Sequence, residues 1–228
     1  MRIEMHIHTS EVSPCAHCTA AEAVRRCISK GYDGMVVTDH FNEDASLAMM
    51  GDPLRKLAPW EARVDHFLRG YRAAKEAAPP GFLVLLGMEL RFMGQGIDEY
   101  LVYGFDEQFL YDNEGLDRLD LIRFNNIAEE HGLLVVQAHP FRWGMSLTPA
   151  HWLDGIEVYN GNSHHQSHND FAAQWARKHG LLPLSGSDHH GGDTDVGMAP
   201  GGLRLREPVR DVKALVQAVK EQRYTVMR

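Results

Sequence analysis

The chain has 228 residues, 44% apolar and 24% charged, with a formal net charge of −8. That length and balance suit one globular α/β domain over residues 1–228. The negative charge argues against long nucleic acid or an anionic membrane as a partner, and no stretch approaches the ~20 apolar residues of a membrane span. The opening MRIEMHIHTS is polar and runs at once into a motif, so no signal peptide is expected. The three cysteines, Cys15, Cys18 and Cys27, are odd in number and close together. A disulfide framework is therefore not expected, and a reducing cytoplasm is. Cys15 and Cys18 form a C-x-x-C, but no second cysteine pair completes a structural zinc site. The unusual feature is the count of 14 histidines.

Short apolar runs alternate with amphipathic ones along the chain. A strand is expected at 3–8 and a helix at 19–30, opened by a capping box of Thr19 with Glu22. A second strand, 35–40, precedes a segment over 42–59 that lacks periodicity and reads as a long loop. A helix at 60–77 and strands at 82–90 and 100–105 follow. A helix at 116–131 leads to strands at 133–139 and 155–160. The last elements are a helix at 166–179, a strand at 182–187 and a helix at 209–222. Gly31, Gly132 and Gly180 stand where left-handed residues stop helices. Helices bracketed by strands predict βα units and a parallel sheet. About seven strands approach the range of a (β/α) barrel; a doubly wound open sheet is the alternative.

The strand ends carry the chemistry. The first closes on His6-Ile7-His8, and residues two apart share a strand face. Both imidazoles can then reach one metal ion at roughly 2.0–2.1 Å. The second closes on Asp39-His40, the third on Glu89, the fifth on His139-Pro140 and the last on Asp188, His189 and His190. In parallel α/β sheets the C-terminal strand edge is where active sites are built. One such ending is an ordinary structural histidine; this many in one chain are not. Histidines with carboxylates and no cysteine suit zinc, manganese or iron. There are more donors than one tetrahedral ion uses, which points to two or three ions with Glu89 as a bridge. Ions ~3.5–4 Å apart can bind phosphoryl oxygens and activate a water as hydroxide.

These motifs, His6-x-His8, Thr38-Asp39-His40, Gly87-x-Glu89, His139-Pro140 and Gly186-Ser187-Asp188-x-His190, resemble the PHP family, the polymerase and histidinol phosphatase domains. The resemblance implies a distorted (β/α)7 TIM-like barrel holding two or three divalent ions, and phosphoester hydrolysis as the chemistry. It implies one ion on His6, His8, Glu89 and Asp188, a second on Glu89 and His139, and a third on His40 and His190. Many relatives carry a further His or Asp soon after the first motif. Here the chain reads Glu11-Val12-Ser13-Pro14-Cys15, so Glu11 is the expected substitute and Cys15 the weaker one. Where relatives place a histidine near the fourth strand, this chain offers Asp98, Glu99 and Asp106.

Beyond the metals, Arg142 follows His139-Pro140-Phe141 and can bind a phosphate in bidentate fashion; a solvated loop arginine is the alternative. Arg91 is a weaker phosphate candidate. On the loop after 155–160, with Asn162, His164, His165 and His168, His164 is the candidate general acid, and the His164–His165 pair otherwise reads as loop surface. Asp39 is expected to orient His40 or accept a proton. His189, between two ligands, is expected to point away from the site. His17, His66, His131, His151 and His179 read as structural or exposed, and the methionines as filling. The expected function is a metal-dependent phosphoesterase that hydrolyses a small phosphate mono- or diester through a metal-activated hydroxide. One rival is an amidohydrolase acting on a C–N bond, disfavoured because no lysine ends a predicted strand. The other is a non-catalytic metal-binding module. Oligomeric state is not encoded in any of these features.

Overall fold

The computed structural model describes residues 1–42, 58–191 and 198–228. The loop expected over 42–59, with Met49 and Met50, falls almost wholly outside the described residues. The elements in chain order are β1 (Arg2–Ile7), α1 (Ala20–Ser29), β2 (Gly34–Val37), β3 (His40–Phe41), α2 (Trp60–Ala77), β4 (Leu83–Leu90), β5 (Tyr100–Tyr103) and α3 (Glu107–Asp112). Then come α4 (Leu121–Glu130), β6 (Leu134–Gln137), β7 (Gly155–Asn160), α5 (Asn169–His179), β8 (Leu182–Gly186), β9 (Leu203–Leu205), α6 (Val212–Lys220) and β10 (Tyr224–Val226).

Local sequence accounts for the boundaries. The Thr19 side chain accepts from Glu22 N, and Glu22 accepts in return from Thr19 N, so the capping box starts α1 as expected. Gly180 closes α5 in the left-handed region at φ 68. The helix expected at 116–131 is broken: a 3₁₀ turn at Leu116–Arg118 stops before Asp120, whose side chain caps α4 by accepting from Arg123 N. A capping aspartate in mid-pattern outweighs continuous periodicity.

The strands form one sheet in the order β10-β9-β1-β2-β4-β5-β6-β7-β8, with β3 added beside β4. It curls into a nearly closed barrel. At their C-terminal ends β1 and β8 meet directly: Asp188 N donates to His6 O at 2.8 Å, and His8 N to His189 O at 3.1 Å. Lower down, the antiparallel pair β9 and β10, joined through α6, wedges the two strands apart. Tyr224 OH donates to Pro183 O (3.0 Å), Ser185 Oγ to Met227 O (2.7 Å) and Gly202 N to Ser185 Oγ (3.1 Å). The chain enters this wedge through Gly201 and Gly202. A Cβ at Gly202 would lie 2.1 Å from Ile3 O, and its φ of 86 is left-handed. The wedge is the distortion of the barrel, and neither short strand shows in the sequence pattern.

The all-parallel expectation needs correction: β9 runs antiparallel to β1 and β10, and within the central sheet β5 is antiparallel to both β4 and β6. Only residues 91–99 join β4 to β5, with no helix among them. A parallel crossover needs about a dozen residues or more, so this connection has to turn back. Its consequence is that the N-terminal end of β5 faces the same edge as the C-terminal ends of its neighbours.

Beneath that edge a core cluster joins Met5, Leu101, Tyr103, Val136 and Leu184 of successive strands to Leu215 and Val219 of α6. On the outside, Ala20, Ala23 and Val24 of α1 pack on Met35, Val37 and Val84. The β4–β5 loop is pinned by Met93 N donating to Asp117 O at 2.7 Å. The Asp117 carboxylate is itself buried and receives Arg63 Nη2 from α2. Replacing Arg63 with Met strands that carboxylate, and stability in urea melts should fall by about 3 kcal/mol or more. The double variant Arg63→Met/Asp117→Leu should recover part of the loss.

Candidate metal centre

At the C-terminal edge, β1 supplies His6, and His8 follows one residue past its end, both without solvent exposure. Their outer nitrogens are held from behind. His6 Nδ1 lies 3.0 Å from Glu157 Oε1 on β7, and His8 Nδ1 lies 3.3 Å from Ser13 Oγ. An Nδ1–H donated outward leaves each Nε2 lone pair facing inward. The two Nε2 atoms are 3.1 Å apart. Around them stand Glu89 from β4, with its oxygens 3.4 Å from each, and Asp188 beyond β8, with Oδ1 at 3.4 and 3.3 Å.

The remaining donors close in from the flanks. His40 Nδ1 lies 2.9 Å from Glu89 Oε2, and His139 Nε2 lies 2.9 Å from Glu89 Oε1. Glu99, immediately before β5, sits 3.5 Å from both His40 and His139. His190 lies tilted against His8 with ring centroids 4.2 Å apart. Asn160 and Asn162 donate to Asp188 Oδ2 at 3.1 and 3.2 Å, and His165 Nε2 approaches it to 3.4 Å. Two of these donors occupy left-handed backbone, His139 at φ 24 and Asp188 at φ 50. Such conformations are uncommon outside glycine and collect at functional sites.

The arrangement fits divalent cations. Among the described residues, four overlapping groups each offer three ligand atoms within 4.8 Å of one another: His8/His40/His190, His6/His8/Glu89, His6/His139/Asp188 and His40/Glu89/Glu99. Glu89 Oε2, Asp188 Oδ1 and His40 Nδ1 are buried and receive no hydrogen bond of proper angle, although the first and last approach each other to 2.9 Å. Stranding several polar atoms together costs heavily unless something else binds them. The electrostatics agree. Burial pushes Glu89 and Asp188 up, but the neighbouring histidines, His6 first, outweigh it and hold both carboxylates well below their usual range. Burial lowers His8, and His190 and His40 lower it further, so it stays neutral. Burial also lowers His6, but Asp188, Glu157 and Glu89 raise it well above its ordinary value. His190 is held at about 9 against burial, chiefly by Asp188.

A cavity of about 690 Å³ opens over this cluster. Cys15, Arg91, Arg142, Asn162 and His164 line its walls. Arg91 and Arg142 both reach Glu99, Arg142 Nη2 at 3.4 Å.

The structure thus brings together His6, His8, His40, Glu89, His139, Asp188 and His190, and places Arg142 and His164 on the cavity wall. Two expected roles need correction. Glu11 is not in the cluster: both its oxygens accept from Ala20 N at 3.0 Å, at the start of α1, where an anionic side chain is favoured. Asp39 does not face the cavity. Thr9 N, Thr9 Oγ1 and Ser13 Oγ donate to it at 2.6–2.7 Å. It acts on His8 only through Ser13, whose oxygen also accepts from His40 N at 3.1 Å. Asp98 accepts from Ser146 N and Asp106 caps α3, so of the three acidic residues near the fourth strand only Glu99 joins the cluster. The signal for Glu99 is its place before an antiparallel strand. His165, read as surface, stands beside Asp188, while His189 turns to Arg26 at 2.9 Å. Cys18 is buried with Sγ directed at Thr19 O, so the C-x-x-C does not converge.

A family profile described as PHP domain matches residues 4–225. The chain belongs to the PHP domain family. Solved structures share the fold of this PHP domain at low identity. A two-domain protein from Bacteroides vulgatus, containing a predicted PHP-like metal-dependent phosphoesterase, is 20% identical with a TM-score of 0.68. The match covers 99% of this chain and 64% of that one, so the chain spans under two thirds of that relative. A lesion-specific endonuclease from Pyrococcus furiosus is 14% identical at a TM-score of 0.63, over 99% of this chain and 57% of that one. An amidohydrolase from Chromobacterium violaceum with bound sulfate is 18% identical at a TM-score of 0.51, over 99% and 98%. No curated protein matches the sequence. Among the described residues, no helix is long and apolar enough to cross a membrane.

Two outcomes follow for this PHP domain. Glu157→Gln offers His6 Nδ1 a donor as readily as an acceptor, and metal affinity should fall about 10–100-fold in a chelator competition. Histidines held above their ordinary pKa must lose protons to bind cations. Zinc or manganese affinity should therefore rise with pH from 6.5 towards the value of about 9 for His190. Calorimetric titrations at several pH values read this directly; a flat profile would contradict it.

Proposed function

We propose that this PHP domain is a metal-dependent phosphoesterase that cleaves a phosphate mono- or diester of a small molecule. Two or three divalent ions, zinc, manganese or iron, would be held by His6, His8, His40, Glu89, Glu99, His139, Asp188 and His190. The observation that carries the reading is the set of overlapping donor groups on one cavity floor, with buried ligand atoms that have no other partner. Divalent ions in such a set supply Lewis-acid polarisation of phosphoryl oxygens and activation of the attacking water.

The chain's own residues supply the rest. Arg142 and Arg91 stand on the cavity wall, where planar guanidinium groups suit two phosphoryl oxygens and orient the ester over the cluster. Glu99 holds both side chains in place. His164, on the loop after β7, lines the same cavity and donates a proton to the departing oxygen. Asn160 and Asn162 fix the Asp188 carboxylate, while Glu157 and Ser13 fix the rings of His6 and His8. The cavity volume lies in the range of small-molecule pockets. With a net charge of −8, a small phosphorylated substrate is favoured over a long duplex.

The likeness to the Pyrococcus furiosus endonuclease supports a second reading, cleavage at a nucleic-acid site. An amidohydrolase reading has less support, because no lysine lines the cavity among the described residues. The protein loaded with manganese or zinc should release nitrophenol from p-nitrophenyl phosphate or its bis-ester faster than it cuts oligonucleotides or a cyclic amide. His8→Ala and Asp188→Ala should bring turnover to background with the fold retained by circular dichroism. Arg142→Ala should lower kcat/KM by about 100-fold. Full turnover after exhaustive chelation would sink the reading.

A further inference from the structure

We propose that Cys15 is a thiolate ligand to the cation at His40 and His190, and that it makes this position selective for a thiophilic ion such as zinc. The inference rests on reading the cluster as a metal centre. It concerns a residue outside the histidine and carboxylate motifs, on the loop between β1 and α1.

That loop is fastened on both sides of the site. Ser13 Oγ donates to Asp39 at 2.7 Å and accepts from His40 N at 3.1 Å, which ties it to the end of β2. His17 N and Cys18 N both donate to His190 O, at 2.6 and 3.1 Å, which ties it to the end of β8. Within the loop, Ala16 N donates to Ser13 O and Ser10 N to Cys18 O, each at 2.9 Å. Cys15 lies between the anchors, so its position is set by the strands that carry His40 and His190.

Its sulfur faces nitrogen donors. Cys15 Sγ is 3.2 Å from His40 Nε2, and Cys15 lines the cavity with His40 and His190. His190 Nδ1 faces the Asp188 carbonyl at 3.0 Å, which leaves its Nε2 for the cavity side. Among the described residues, His8, His40 and His190 form the one such donor group that contains no carboxylate. The adjoining Asp188 Oδ1 is buried, has no hydrogen-bond partner and points into the same cluster. Sulfur added to imidazoles gives a soft, zinc-like set, whereas the groups built on Glu89, Glu99 and Asp188 are harder and suit manganese as well.

The other two thiols do not compete. Cys18 Sγ is directed at Thr19 O, and Cys27 Sγ lies against Met35 and Met198 sulfurs at 3.8 and 3.9 Å. A sulfur signal from the cavity is therefore that of Cys15.

The experiment is a cobalt titration of the chelator-stripped full chain, followed by near-ultraviolet absorption. The wild type should develop a sulfur-to-cobalt charge-transfer band, and Cys15→Ala should lose it. Cys15→His should still take up cobalt by elemental analysis, without the band, which separates loss of sulfur from loss of fold. Zinc competition should show one site weakened at least 10-fold in Cys15→Ala and not in Cys15→His. A wild type that binds cobalt with no band overturns the proposal, because the thiol is then only a hydrogen-bond partner of His40. A band that survives in Cys15→Ala overturns it too. If the wild type takes up no metal, the reading of the whole centre fails.

Discussion

Glu89 is a carboxylate with 1% of its surface exposed, and the rest of the site is built around that burial. An isolated charge at such depth is very costly. Here His6, His8, His40 and His139 all lie within 3.4 Å of its oxygens. They hold it ionised, yet they satisfy only Oε1, 2.9 Å from His139 Nε2, and leave Oε2 without a well-directed hydrogen bond. A core stabilised for its own sake would use apolar residues of similar volume. The persistence of unsatisfied donors around one carboxylate is the physical mark of a site shaped for cations.

Such convergence needs backbone geometry that ordinary strands do not supply. The barrel closes directly between β1 and β8 only at the edge carrying the site, while β9 and β10 fill the gap below. His139 and Asp188 leave their strands in left-handed conformations, which turns both side chains onto the cluster. Gly186 marks how tight the closure is: a Cβ there would meet His6 Cβ at 2.2 Å. The first histidine motif and the last aspartate motif can pack together only because no side chain intervenes. Antiparallel β5 brings Glu99 to the same edge by presenting its N-terminal end.

A second layer decides which nitrogen of each ring faces inward. Glu157 sets His6, and Ser13 sets His8 while resting on Asp39. Asp39 illustrates why a motif does not state a role. Its place beside His40 looks catalytic, but three donors occupy its oxygens away from the cavity. It fastens the loop after β1 to the end of β2, and burial against those hydrogen bonds leaves its pKa at about 6. The same fastening carries Cys15 to His40.

Most of the candidate donor set was legible in the sequence because those residues sit at one kind of place, the end of an apolar run, and strand ends are local features. The helix caps and the number of central strands are local in the same way, and the family follows from the order of the motifs. What the linear pattern could not hold was direction and distance. The reversal of β5 depends on how few residues connect it to β4, and it brings Glu99, before the strand, rather than Asp106, after it, to the cluster. Glu11 and Cys15 are four residues apart, and only the path of the loop between two strand ends sends the first to the helix and the second to the histidines. The sequence by itself determined the metal-capable donor types and the edge of the sheet that carries them. Tertiary structure alone decided which carboxylates complete the cluster, which serve as supports, and where the barrel departs from regularity, because those depend on contacts between segments far apart in the chain.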